Sequence, residues 1–486
     1  MNDQIKKLEP KELWSNFVDL NAIPRPSKKE QKVIEFAKNF GLALGLETIV
    51  DEIGNVIIKK PATPGMEDRV PVILQSHLDM VAQKNSDVDF DFETQGINMF
   101  IEGDWVKAKG TTLGADNGIG ASAIMALLAS KTLKHPALEA LFTIDEETGM
   151  TGAQELKSGI LNGKIMLNLD SEEDDEMTIG CAGGVDVLVS GKYKEKEFEG
   201  KVKSYQLFVS GLAGGHSGID IHLYKGNANK IANRILLKLN DEIKIGVKEV
   251  EGGSLRNAIP RESKSIFTID EKNESKMKEL FDNERKDLLN EYKSKESNLK
   301  IELNEVETEK KVLKGKKLKK VLKAIHSGWN GVFRMSPDVD GLVQTSTNMA
   351  RVVIRDGKIS VDNLTRSSVE SEKFELANVL KSVFNLAGLK VEFEGSYPGW
   401  APDVHAAINS SMIEVYKKNF GSEPHVTACH AGLECGLIKE KYPDVDMISF
   451  GPNIKNPHSP DERVQISSVQ KFWKLLLDTL ENFPKK

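Results

Sequence analysis

Cysteine is scarce in this chain: Cys181, Cys429 and Cys435 are the only three among 486 residues. They are too few and too scattered for a disulfide framework or a cysteine-built zinc site, which fits a reducing compartment. An excess of positive charge is also lacking. With 66 Lys and Arg against 73 Asp and Glu, the formal net charge is -7, so there is no basic footprint for nucleic acid. The mild negative charge argues only for solubility. No stretch approaches the ~18 uninterrupted apolar residues of a membrane span. The start, "MNDQIKKLEPKELWSNFVDLNAIPRPS", has no apolar core after its basic residues and so no secretory signal. Internal repeats and low-complexity segments are absent too. These absences set the expectation of a cytoplasmic protein without nucleic-acid or membrane partners.

What is present is ordinary globular material, 39% hydrophobic and 29% charged, in a chain long enough for more than one domain. Up to about residue 186, short apolar runs alternate with helix-like segments. "VPVILQSHLDMV", "LEALFTID" and "KIMLNLD" have the length and bounding of buried strands. "GIGASAIMALLAS" is small and apolar all round, as a helix packed on a sheet must be. This alternation predicts an α/β layer with a largely parallel sheet.

Between 187 and 394 the texture changes. "YQLFVSGL" and "SKSIFTID" predict strands, and "NLKIELNEV" alternates with period two, as a half-exposed strand does. Met277, Leu280, Phe281, Leu288 and Tyr292 recur at helical spacing, as do Leu318, Val321, Leu322 and Ile325. The prediction is an inserted α+β domain. A coiled coil or binding arm over the charged 271–323 stretch is the alternative, weakened by a short apolar stripe that strand signals interrupt. From 395 to 486 the α/β texture returns, with "VDMISFGP" as a buried strand and "SSVQKFWKLLLDTLENF" as a closing amphipathic helix. The expected organisation is therefore one α/β domain (1–186 and 395–486) interrupted by an insertion (187–394).

One strand ends oddly. "LFTIDEETGM" runs from Leu141 to Met150 and places Asp145, Glu146 and Glu147 side by side at the end of an apolar run. A solvated loop tolerates such a cluster, and that is the plain explanation unless cations are brought to it. Candidates lie at other strand ends: His77 in "SHLDMV", Asp116 in "TTLGADNGIG", Asp170 in "LNLDSEE" and His458 in "FGPNIKNPHSP". Singly, each has an ordinary explanation as an exposed histidine, a turn former or helix cap, the edge of an acidic loop, or a rigid loop residue. "GADNGIG" lacks the Lys-Ser/Thr ending of a phosphate loop, and Asp116 would repel an anion.

Together they suit one chemistry. Two divalent cations about 3.5–4 Å apart, sharing a carboxylate, need five or six mixed imidazole and carboxylate ligands. His77, Asp116, Glu147, Asp170 and His458 supply that mixture. Asp79, two residues beyond His77, is suited to orient its ring. Glu146 is left over to take a proton from water.

The chain resembles the zinc-dependent M20 metallopeptidases, and among them the aminoacyl-histidine (Xaa-His) dipeptidase, or carnosinase-like, branch. The resemblance rests on "SHLDMV", "GADNGIG", "DEETGMTGA", "LNLDSEE", "GLAGGHSGIDIH", "RNAIPR", "VQTSTN", "RSSVES", "HAGLECG" and "GPNIKNPHSP", which occur in this order along nearly the whole chain. It implies a zinc-peptidase-like catalytic domain with an inserted lid that also mediates homodimerisation. It implies that His77, Asp116 and Asp170 hold one ion and Asp116, Glu147 and His458 the other, with Asp116 bridging and a cis peptide at Asp116–Asn117. Glu146 becomes the general base and acid, Asp79 the support of His77, and His216 the lid histidine that stabilises an oxyanion, in its own or a neighbouring subunit. Asn257, Arg366, Gly432 and Glu434 match positions that contact substrate, Arg366 through the peptide carboxylate. The expected activity is two-metal hydrolysis of small peptides, including β-Ala-His, with Zn2+ as the expected ion and Co2+ or Mn2+ as alternatives. A tripeptidase or N-acyl-amino-acid amidohydrolase of the same fold is the nearest rival. A non-catalytic metal-binding protein and an interaction protein working through 271–323 are further rivals.

Overall fold

Three short runs, Val72–His77, Leu138–Thr143 and Ile165–Asn168, are buried at every position, which only a strand covered on both faces requires. They lie in one sheet of a computed structural model that describes residues 2–485. The chain forms two units. The first runs to Gly180, then takes Pro402–Ala428 and everything from Leu433. Its eight-stranded sheet has the order Glu47–Val50, Val56–Lys60, Leu138–Thr143, Val72–His77, Ile165–Asn168, Asp446–Ser449, Glu176–Cys181 and His425–Cys429.

The Leu138, Val72, Ile165 and Asp446 strands are parallel neighbours. The strands beginning at Glu47 and Val56, and the one at Glu176, join antiparallel. The sheet is thus mixed with a parallel centre, as the apolar runs led one to expect. Helices Lys11–Asn21 and Ala115–Ala129 pack on each other, and the second also packs on the Val72 strand. Ala115–Ala129 is buried almost all round, matching its small apolar composition. The closing helix Ile466–Glu481 sets Val469, Phe472, Leu475, Leu476 and Leu480 into the same core.

The second unit is Cys181–Ala401 with Cys429–Gly432. An eleven-stranded sheet, antiparallel in its described pairings, forms its body. Helices Ala228–Ile243, Glu274–Tyr292, Gly315–Ser327 and Glu370–Leu386 belong to the same unit. Met277, Leu280, Phe281 and Leu288, like Leu318, Val321, Leu322 and Ile325, are buried in the unit's own core. The 271–323 stretch therefore packs as part of the α+β fold, with the Lys300–Val306 strand paired to Val202–Ser210. Its apolar stripe is not available to a coiled-coil partner.

The units divide at Gly180/Cys181 and Ala401/Pro402 rather than at 186/187 and 394/395. The physical reason is pairing: strand Gly183–Lys192 bonds along its length to Lys358–Ser367 and also pairs with Lys390–Tyr397. A boundary at 186 or 394 would cut through that ladder. No helix among the described residues is long and apolar enough to cross a membrane.

Candidate metal centre

In parallel sheets, side chains just beyond the carboxyl ends of the strands face a common crevice. His77 is the last residue of its strand, Asp145 to Glu147 follow the strand ending at Thr143, and Asp170 follows the one ending at Asn168. Asp116 enters at the start of helix Ala115–Ala129, and His458 from the loop between the short strands Ile454–Lys455 and Arg463–Gln465. The Asp116–Asn117 peptide is cis, as the family resemblance led one to expect.

Asp116 faces two imidazoles at once. Its Oδ1 lies 3.2 Å from His77 Nε2 and its Oδ2 3.3 Å from His458 Nε2. His77 Nε2 is also 3.4 Å from Asp170 Oδ1, and His458 Nε2 is 2.9 Å from Glu147 Oε2. Ligand-capable atoms of His77, Asp116 and Asp170 thus fall within 4.8 Å of one another, and so do those of Asp116, Glu147 and His458. The structure brings all five residues into two groups that share Asp116.

These contacts suit cations better than they suit each other. Glu147 Oε1 and Asp170 Oδ1 are buried and accept no hydrogen bond, a costly state for a carboxylate oxygen. Mixed imidazole and carboxylate donors are the set that borderline cations such as zinc take. The residues present therefore fit two divalent ions. Without them, protons take their place. Burial opposes charge on His77, but Asp170, Asp116 and Asp79 push its pKa well above the ordinary value. Hydrogen bonds to Asp116 and Glu147 raise His458 to about 11. Burial pushes Asp170 up to about 6 despite His77. Asp116 goes the other way: its hydrogen bonds to the two histidines outweigh burial and lower its pKa.

The three adjacent acids separate in function. Asp145, at φ 54°, turns inward and receives the hydroxyls of Thr148 and Thr151. Glu147 joins His458. Glu146 stands between: a carboxylate oxygen lies within 4.8 Å of ligand atoms of both His77 and Glu147. Burial, together with Asp170, Glu434 and Glu147, raises its pKa well above the carboxylate range. Asp79 supports both neighbours. Its backbone carbonyl is 3.1 Å from His77 Nδ1, while its carboxylate accepts the N–H groups of Glu146 and Glu147 at 3.0 and 3.3 Å.

Glu434, matched above to a substrate-contacting position, is fully enclosed. Its Oε2 accepts from Gln75 Nε2 at 2.7 Å and Thr143 Oγ1 at 2.6 Å, and burial raises its pKa to about 8. Gly432, two residues earlier, belongs to the second unit.

The other sequence-predicted residues gather within that second unit. His216 Nδ1 accepts the N–H groups of Gly218 and Ile219 at 3.2 and 3.1 Å. This fixes the neutral ring with Nε2 as its donor, and burial and Arg366 lower its pKa in the same sense. His216 pairs with Ala258 in a two-stranded ribbon, which sets exposed Asn257 beside it. Arg366 is buried and donates from Nη1 to Tyr397 Oη at 2.8 Å, leaving Nε without a partner. A Cβ built on Gly218 would come within 2.1 Å of the His430 carbonyl oxygen and 3.2 Å of both Arg366 Nε and His216 Cε1, so glycine there lets the His430 backbone pack close to the two side chains.

Sequence reasoning missed three residues. His430, in the same "HAGLECG" segment, bonds Ser346 Oγ at 2.8 Å and is driven down to about 3 by burial and then by Arg366 and His216. Glu462 and Arg25 are buried charges against the Asp116 turn. Only the "H-x-x-x-E" spacing after His458 hinted at Glu462.

Two ligand groups sharing a carboxylate, beyond a parallel sheet and with a spare acid alongside, define a metal-dependent hydrolase. Residues 73–482 match peptidase family M20/M25/M40, and the chain belongs to that family. It is 41% identical over 483 residues to the cytosol non-specific dipeptidase of Escherichia coli (strain K12), covering 99% of this chain and 100% of that protein. Its fold aligns with the crystal structure of aminoacylhistidine dipeptidase from Vibrio alginolyticus at a TM-score of 0.95 and 44% identity, over 99% of this chain and 98% of the other. A tripeptidase from Staphylococcus aureus subsp. aureus Mu50 shares the fold at a TM-score of 0.56 and 16% identity, over 98% of each chain.

Proposed function

We propose that this chain is a two-metal dipeptidase acting on Xaa-His dipeptides, β-Ala-His among them. The observation that carries this is Asp116, whose two oxygens face His77 and His458 while each histidine has a further carboxylate within 3.4 Å. The dipeptidase relatives support the substrate class.

His77, Asp116 and Asp170 would hold one ion, and Asp116, Glu147 and His458 the other, zinc being the ion such donors favour. When bound, such ions supply Lewis-acid polarisation of the scissile carbonyl and a water of lowered pKa. Glu146 takes the proton from the attacking water and passes it to the leaving amine. Asp79 keeps His77 and the Glu146 backbone in register. In the inserted unit, His216 Nε2–H is the donor for the developing oxyanion, in its own or a neighbouring subunit. Arg366 receives the substrate carboxylate, and Asn257, Gly432 and Glu434 complete the substrate contacts. A homodimer through the inserted unit and a cytoplasmic location belong to the same reading, and sedimentation and cell fractionation test them.

The deciding experiment is metal analysis joined to a substrate panel of β-Ala-His, other Xaa-His dipeptides, dipeptides without histidine, tripeptides and N-acyl amino acids. Two ions per chain and turnover of dipeptides, led by Xaa-His, are expected. Preferential cleavage of tripeptides or N-acyl amino acids overturns the substrate assignment, and an unmetallated active enzyme overturns the centre.

A further inference from the structure

The turn that delivers Asp116 is gripped by two groups that are not ligands. Helix Ala115–Ala129 starts at Gly114, in left-handed backbone at φ 71°, without a side-chain cap of its own. The first N–H groups of a helix have no partner within the helix and must find one elsewhere. Here one carboxylate from far along the chain takes four consecutive N–H groups of the turn, Leu113 to Asp116. Glu462 Oε2 accepts the N–H groups of Leu113 and Gly114 at 2.6 and 2.9 Å, and Oε1 those of Ala115 and Asp116 at 2.8 and 3.2 Å.

Arg25, also buried, holds the same turn by a carbonyl. Its Nη2 donates to the Gly114 carbonyl at 2.6 Å and to Asn21 Oδ1 at 2.9 Å. Its Nη1 donates to the carbonyls of Leu78 and Asp79 at 2.9 and 3.0 Å. One guanidinium therefore ties the segment after His77 to the turn before Asp116. Gly114 and Gly118 make room for it, since a Cβ at Gly118 would come within 2.8 Å of Nη2. Glu462 adds the third tie, because it follows His458 by four residues in one loop, closed by its own N–H to the Ser459 carbonyl at 3.0 Å.

We propose that Glu462 and Arg25 are paired positioning residues of the two-ion centre, holding the backbones of His77, Asp116 and His458 at ligand spacing before any cation arrives. This rests on the two-metal reading above. Each of these buried polar groups satisfies several backbone groups that no apolar residue could. Supporting groups of this kind commonly change metal affinity about 10–100-fold when altered.

The test is Glu462→Gln, with Arg25→Lys as the second variant and the wild-type protein measured alongside. Gln keeps one acceptor oxygen and turns an NH2 toward two N–H donors. Lys keeps the charge but cannot reach carbonyls on two segments. Zinc affinity by chelator competition, ion stoichiometry, kcat and KM on a dipeptide, and thermal unfolding of the metal-free form are recorded for each. Expected are a folded protein, zinc affinity weakened about tenfold or more, and a loss that falls on kcat rather than KM. Wild-type affinity and kcat in either folded variant overturn the pair. Loss of fold in both variants also overturns it, because the pair then serves the fold and not the ions. A wild-type protein that binds no ions refutes the two-metal reading itself, an outcome distinct from either.

Discussion

The carboxylate of Asp79 accepts the backbone N–H of Glu146 at 3.0 Å. The same carboxylate lies 3.4 Å from His77 Nδ1 and takes the Ser27 hydroxyl at 2.7 Å. One buried side chain thus sets both the orientation of a ligand ring and the placement of the acid beside it. Asp79→Asn keeps the shape but replaces one acceptor oxygen with a donor. We expect kcat to fall about 10–100-fold with both ions still bound. Unchanged kcat, checked by steady-state kinetics on metal-replete protein, contradicts the supporting role.

Glu146 is the acid left without a ligand partner. Glu146→Gln is nearly isosteric and keeps the Asp79 bond, which comes from the backbone. The variant should hold two ions and lose turnover by about 10²–10⁴-fold or more. Metal analysis and single-turnover kinetics decide it. A fully active variant removes Glu146 from the proton path, and a variant that has lost an ion makes it a ligand instead.

His458 is the most exposed of the five proposed ligands, with 53% of its side chain open, against 1% for His77. Its removal should therefore leave the fold intact. His458→Ala is expected to weaken one ion while the His77, Asp116 and Asp170 group keeps the other. Titration with zinc should show one tight and one weak site. Two sites of wild-type affinity would refute the ligand role.

Much of this centre was legible before any coordinates. Strand-end ligands are visible because a fully buried parallel strand is an unbroken apolar run, and the polar residue that ends it stands out. His77, Glu147 and Asp170 all followed that rule. Asp145 carried a subtler signal: the hydroxyls of threonines three and six residues later donate to its carboxylate, so only two of the three acids face the centre. Glu462 and Arg25 were hidden for a different reason. Each sits in a polar segment where a charged residue is unremarked, and their targets lie as much as 349 residues away. The units divide at Gly180/Cys181 rather than near residue 186, because strand Gly183–Lys192, whose positions from Val185 to Val189 alternate buried and partly exposed, belongs whole to the second unit.

His458 has its pKa raised to about 11 by Asp116 and Glu147, from an ordinary 6.5. A raised histidine pKa stabilises the folded state fully below the unfolded value, and that contribution is lost as pH climbs toward the folded one. Asp116 has the opposite sign: its lowered pKa contributes above its unfolded value of 3.8 and is lost in acid. The metal-free pair is therefore strongest between about pH 4 and 6.5 and weakens on either side. Because His458 is more than half exposed, solvent screening keeps its share modest. Cation binding requires the neutral ring, so loading must expel protons and grow tighter as pH rises. Thermal unfolding of metal-free wild type and His458→Gln should differ most near pH 6 and converge toward pH 10, while zinc added near pH 7 should release protons in a pH-stat. A difference that widens with pH, or zinc binding without proton release, would show that Asp116 and His458 do not share a proton in the metal-free state.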